Sequence, residues 1–218
     1  MTDTVHVMLD LETWGTEPGC DIRSIGACVF DPVLGWVGAP GQFDPERIEF
    51  FYIATDNPRG YWGNGSSRDR FFVTGKATDR LRYPLTRDPA TAQRWSEQSA
   101  EAQAAFENPV DLRIALSRFS VWLADVCPDV TALRLWSHGS AFDPPILAAA
   151  YKAVDLPVPW HYRAPRDTRT AFDMAGIEDH SAWLEQTPGP LGVSHHALDD
   201  AICQARAVAA AYQLVTHD

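Results

Sequence analysis

The sequence predicts an α/β domain with a mixed central sheet, on three observations. Three short apolar runs lie close together in the N-terminal part, helical periodicity takes over from residue 91, and a fourth strand-like run interrupts the helices. The close spacing of the first three runs favours antiparallel neighbours. The chain has 218 residues, 45% hydrophobic and 22% charged, which suits one domain over 1–218 with a sizeable core and excludes a disordered chain.

The elements follow in order. Val5 to Leu9 reads as a buried strand, and Ile22 to Phe30 as a second, closed by Asp31 and Pro32. Glu49 to Ala54 is a third, rich in aromatic residues. Thr55 to Pro89 has loop composition, with Gly60, Gly63, Gly65 and Gly75, and is long for a structureless loop. It carries seven basic and four acidic residues, a net of +3 inside a chain of net charge -11, with five aromatic residues interleaved. That combination suits a single nucleic-acid strand, charge following the backbone and rings stacking on bases. A plain flexible insertion, or packing on a partner, is the alternative.

Thr91 to Glu107 is rich in Ala, Gln and Glu and reads as helical. Val110 to Val126 places Leu112, Leu116, Phe119 and Leu123 at helical spacing. Leu133 to Trp136 is the fourth strand. Asp143 followed by Pro144 starts a helix that runs to about Ala153, with Asp143 as the simplest N-cap. Arg166 to Ala175 forms a short helix, and Ser194 caps a long last helix through Tyr212.

Composition narrows the function. The pI near 5.0 argues against a protein that coats nucleic acid. It leaves room for an enzyme acting on nucleic acid, because carboxylates that hold divalent cations are acidic only by count. Among the basic residues only Lys76 and Lys152 are lysines, and the arginine fork suits phosphate. No apolar run approaches bilayer length, and the start MTDTVHVMLD lacks the basic region of a signal peptide. Cys20, Cys28, Cys127 and Cys203 lack zinc-site spacing, so reduced thiols and a cytoplasmic location are expected.

Three places carry candidate chemistry. Asp10 and Glu12 end the first strand two residues apart, so both face one side. Two like charges there are costly without a cation between them, unless both are simply solvated at a turn. Phe142-Asp143 follows the fourth strand, and His195-His196-Ala197-Leu198-Asp199-Asp200 opens the last helix. Helical spacing alone pairs His196 with Asp200. Four carboxylates can hold two divalent metals as a clamp on a phosphodiester, and a histidine can take a proton at neutral pH.

VMLDLET, AFDPPIL and HHALDDA together resemble the three motifs of the DEDDh family of 3′–5′ exonucleases. DLETWGTEPGCDIRSIGACVFDP, FFYIAT, TAQRWSEQSAEAQ, WSHGSAFDPPILAAAY and PWHYRAPRDTRT are similar to the branch typified by the mycobacterial polyadenylate-specific exoribonuclease and phage exonuclease A. Two positions depart from that branch: His138 stands where asparagine is usual, and Arg94 where a second tryptophan is. The resemblance implies a ribonuclease-H-like fold with helices on both faces of the sheet. It implies that Asp10, Glu12, Asp143 and Asp200 bind two Mg²⁺ or Mn²⁺ ions, oxygen ligands suiting these cations. It selects His195, five residues before Asp200, as general base over His196.

The residues after the first motif, Thr13, Trp14 and Gly15, are implied to line the pocket for the 3′-terminal nucleotide. Trp95, His138, Phe142 and Arg169 are weaker candidates for substrate contact. The implied reaction is release of nucleoside 5′-monophosphates from single-stranded 3′ ends, RNA slightly favoured over DNA. A DNA-specific exonuclease or a catalytically idle binding module are the alternatives. The resemblance also suggests a homodimer, with no membrane partner.

Overall fold

The computed structural model describes residues 4–37, 49–57, 61–62, 85–187 and 193–216. The strands are β1 (Val5–Thr13), β2 (Ile22–Asp31), β3 (Trp36–Val37), β4 (Phe50–Asp56), β5 (Tyr61–Trp62), β6 (Thr86–Arg87), β7 (Val110–Asp111), β8 (Leu133–Ser137) and β9 (Pro165–Asp167). The helices are α1 (Pro89–Ser96), α2 (Ala100–Ala104), α3 (Leu112–Val126), α4 (Asp143–Ala153), α5 (Thr168–Met174), α6 (His180–Gln186) and α7 (Ala197–Thr216).

The main sheet runs β7-β4-β2-β1-β8-β9, with β3 also on β2. β1, β2 and β4 are antiparallel neighbours, as the short connections predict. β8 lies parallel to β1 and β9 parallel to β8, so the sheet is mixed. Alternation along β1 divides the core. Val7, Leu9 and Leu11 pack on the side covered by α3 and α4. Met8 points to the other side, among Phe172 of α5 and Leu198, Ile202 and Val208 of α7. Helices therefore cover both faces, and Asp10 and Glu12 share the parity of Met8.

Several boundaries differ from the sequence reading. The segment from Thr91 to Glu107 is two short helices rather than one. Asp88 caps α1 by accepting the N–H groups of Ala90 and Thr91, and Ser99 caps α2. Asp111 caps α3, and Val110–Asp111 itself bridges to β4. Asp167 caps α5, so residues 165–167 are strand and not helix.

Ser194 does not cap α7. The Asp200 N–H donates to the His196 carbonyl and the Asp199 N–H faces His196 Nδ1, so His196 occupies the cap. Asp143 does not cap α4 either. The cap residue is Phe142, and the Asp143 carboxylate is committed to β1 instead.

The basic and aromatic insertion falls largely on residues 58–60 and 63–84, outside the described residues. Its described margins are not loose. Arg87 on β6 donates to Asp21 at 2.9 Å and to the Asn57 carbonyl at 2.8 Å, and the Asp21 side chain is fully buried. Arg87 therefore belongs to an internal ion pair. The four cysteines are free thiols. Among the described residues no helix is long and apolar enough to cross a membrane.

Candidate active site

Asp10 sits opposite Gly26 in the β1–β2 register, and Glu12 opposite Ser24. A Cβ at Gly26 would overlap backbone atoms of Ala197 and Leu198. The first turn of α7 thus rests directly on the sheet, and only glycine permits that approach. This contact brings the turn containing His195 and the first turn of α7 to the strand that carries Asp10 and Glu12. A glycine inside a strand-like run is a visible sign of close backbone approach, although its partner is not visible in sequence.

Asp143 arrives from the other side. Its Oδ1 accepts the Leu11 N–H at 3.2 Å, between the two acids of β1, and Asp143 is 3% exposed. Asp10 is held by Gln204 of α7, whose Nε2 donates to Oδ1 at 2.7 Å. Sequence reasoning passed over Gln204, one helical turn beyond Asp200 on the same face. His195 has φ +66°, the left-handed region, and its N–H donates to Asp200 Oδ2 at 3.1 Å. Ligand atoms of Glu12, His195 and Asp200 all lie within 4.8 Å of one another. His196 is elsewhere: its ring stacks on Tyr52 at 4.1 Å and its Nδ1 faces Asp199 at 3.4 Å.

The acids feel their crowding. Burial, reinforced by Asp143, Glu12 and Asp200, holds Asp10 well above the ordinary carboxylate range. Burial and then Asp200 push Glu12 up to about 8, with the Arg23 guanidinium opposing. Burial pushes Asp143 up to about 7 against the Leu11 N–H and Arg169, and Asp200 up to about 6 against His195. Carboxylates raised in this way suit a hard divalent cation, which would relieve both desolvation and mutual repulsion. The donor set therefore fits such an ion.

A cleft of about 240 Å³ opens beside these groups, lined by Glu12, Thr13, Gly15, Trp95, Phe142 and His195 among others. Leu11, Thr16, Thr91, Arg94 and Gln98 complete its wall. Trp95 donates its indole N–H to the Thr13 carbonyl at 2.9 Å and turns an edge to His195, ring centres 5.9 Å apart. Gly15 also packs on Cys20, whose Cβ would lie 2.8 Å from an added methyl.

Trp14, implied to line the pocket for the 3′-terminal nucleotide, does not line this cleft. Its ring lies under the guanidinium groups of Arg23 and Arg87. His138 binds Thr168 Oγ1 at 2.7 Å, on the flank beyond Asp143, where Arg169 packs against Gly139. A larger apolar hollow of about 500 Å³, between Trp136, Met174 and Tyr212, contains none of the five expected catalytic residues.

Similarity places this arrangement among known proteins. The fold resembles that of the zinc-bound complex of E. coli ExoI with single-stranded DNA, at a TM-score of 0.58 and 13% identity. That match covers 100% of this chain and 41% of the ExoI chain, so this chain spans less than half the length of that neighbour. No curated protein matches the sequence. The fold is of the ribonuclease-H-like class. Within it, the chain belongs to the Rv2179c-like 3′-5′ exoribonuclease domain family, whose model matches residues 5–212.

Proposed function

We propose that this exonuclease hydrolyses single-stranded RNA from its 3′ end to nucleoside 5′-monophosphates, with Asp10, Glu12, Asp143 and Asp200 holding two Mg²⁺ or Mn²⁺ ions. The observation that carries this reading is the convergence of four acids from β1, α4 and α7 beside one cleft, which Glu12 lines, each carboxyl pKa raised. Bound there, the cations would supply charge against the scissile phosphate and a nucleophile at neutral pH.

The chain's own residues do the rest. Trp95 and Phe142 wall the cleft that receives the terminal nucleoside. Thr13 and Gly15 line the same cleft next to Glu12. His195 is the general base. Its turn is tied to Asp200 through the backbone N–H, leaving the imidazole free to accept a proton beside Glu12. Arg169 is exposed, acts electrostatically on Asp143, and supplies a cation for the phosphate on that flank.

A DNA substrate is the second reading, favoured by the single-stranded DNA in the ExoI complex. The experiment is a metal-dependent digestion series on end-labelled single-stranded RNA, single-stranded DNA and duplexes, with product identification. Stepwise 3′ shortening with 5′-monophosphate release, faster on RNA, is expected. Full hydrolysis in EDTA defeats the metal-dependent reading, and faster digestion of DNA reverses the substrate preference.

A further inference from the structure

Gln204 lies on α7 in a run whose other buried residues include Ala201, Ile202, Ala205 and Val208, and is itself 8% exposed. An amide among apolar side chains costs desolvation and side-chain entropy unless its hydrogen bonds are made. Only the donor end is engaged. Nε2 donates to Asp10 Oδ1 at 2.7 Å, a partner 194 residues away in the chain. Oε1 is buried and meets no hydrogen-bond donor among the described residues. Packing does not account for such a residue, because a methionine or leucine would fill the same place with no polar atom left open.

The bond joins the two elements that build the site. Asp10 is on β1 opposite Gly26, and the first turn of α7 rests on that glycine. Asp200 and Gln204 are four residues apart, so one face of α7 carries both. Gln204 therefore pins the Asp10 carboxylate to the helix that carries Asp200. The pin is neutral. A lysine or arginine in its place would bring a positive charge that opposes entry of a cation. The amide engages Oδ1 alone, which fixes the plane of the carboxylate and leaves Oδ2 for a ligand. Its Oε1 is an acceptor suited to a proton of a cation-bound water.

We infer that Gln204 is a positioning residue of this site: a neutral pin from α7 that holds the Asp10 carboxylate in the orientation a divalent cation requires. It acts through Asp10. Hydrogen-bond partners behind a ligating carboxylate typically contribute about 10–100-fold in metal affinity or activity. The inference rests on the proposed reading that Asp10 binds metal.

The test compares wild type, Gln204→Met and Asp10→Asn. Each is melted without metal and titrated calorimetrically with Ca²⁺ alone at about pH 9, which favours ionised carboxylates. Each is then assayed with saturating Mg²⁺ on an end-labelled single strand. Methionine is unbranched and of similar size, so Gln204→Met should keep the packing and melt within about 5 °C of wild type. It should bind Ca²⁺ at least about tenfold more weakly. Turnover should fall at least about tenfold, with the Michaelis constant for the strand within about threefold of wild type. A residue needed only for packing would lower the melting temperature and leave Ca²⁺ affinity as it was.

Unchanged Ca²⁺ affinity or unchanged turnover in folded Gln204→Met overturns the inference. So does a loss of rate that appears only in the Michaelis constant, which would make Gln204 part of strand binding. If Gln204→Met does not fold, Gln204→Leu replaces it with the same expectations. Asp10→Asn separates the two possible failures. If it binds Ca²⁺ as wild type does, the metal-binding reading of Asp10 fails, and the role of Gln204 with it. If it binds Ca²⁺ weakly while Gln204→Met binds like wild type, that reading stands and the role of Gln204 alone fails.

Discussion

Gly26→Ala isolates the contact that assembles the candidate active site. The added methyl would overlap the Ala197 carbonyl carbon and oxygen and the Leu198 nitrogen, all of them backbone. Ordinary contact needs about 3.5–4 Å, so the start of α7 must retreat by roughly an ångström or more. No flexible side chain is available to give way. Overpacking of this kind costs about 1–3 kcal/mol, a loss the domain should survive. The functional cost is larger, because His195 and Asp200 move with α7 while Asp10, opposite Gly26, stays on β1. Misplacement by about 1 Å typically costs on the order of 10²-fold in rate. Steady-state assays on an end-labelled single strand, paired with thermal melts, should show a folded protein with turnover reduced by about that factor. Wild-type turnover in a folded Gly26→Ala protein would falsify the claim that the seating of α7 on β2 builds the site.

Three other outcomes follow from the carboxylates and the histidines. Asp10→Asn or Asp200→Asn should lower turnover by orders of magnitude while the metal-free protein melts at the same temperature or higher, because repulsion is relieved; a collapsed melting temperature would contradict this. His195→Ala should cost about 10²–10⁴-fold in turnover with little change in metal affinity, whereas His196→Ala, stacked on Tyr52, should be mild; a dead His196 variant beside an active His195 one would exchange their roles. The folded chain raises Glu12 to about 8, Asp143 to about 7 and Asp200 to about 6, so between pH 4 and 8 it holds protons that the unfolded chain releases. That stabilisation is full below the unfolded values and lost as pH rises through 6 to 8. The metal-free protein should therefore melt higher at pH 5 than at pH 8.5, saturating Mg²⁺ should narrow the gap, and Glu12→Gln should shrink it. A gap insensitive to both would place the titrating groups elsewhere.

The local pattern determined much of this molecule. The three N-terminal strands, their antiparallel pairing and the helical second half follow from apolar periodicity and short connections, which are properties of neighbouring residues. The motifs single out Asp10, Glu12, Asp143, His195 and Asp200 as candidates because their spacing is local to each segment. Only the tertiary structure decided how the segments meet. Asp143 looks like a helix cap in sequence, yet its carboxylate crosses to the Leu11 N–H, a partner 132 residues away. Trp14 and Trp95 are both candidates for substrate contact in sequence, but only Trp95 lines the cleft. Arg23 reads as an ordinary polar position on a strand, and becomes a caged cation only when α1, the Phe106 turn and β2 converge. Gly26 announces a close approach without naming the chain that makes it. Local sequence governs backbone preference and face, since those depend on residues a few places apart. Long-range contacts depend on how whole elements pack, and the charges and cavities of the site arise from that packing.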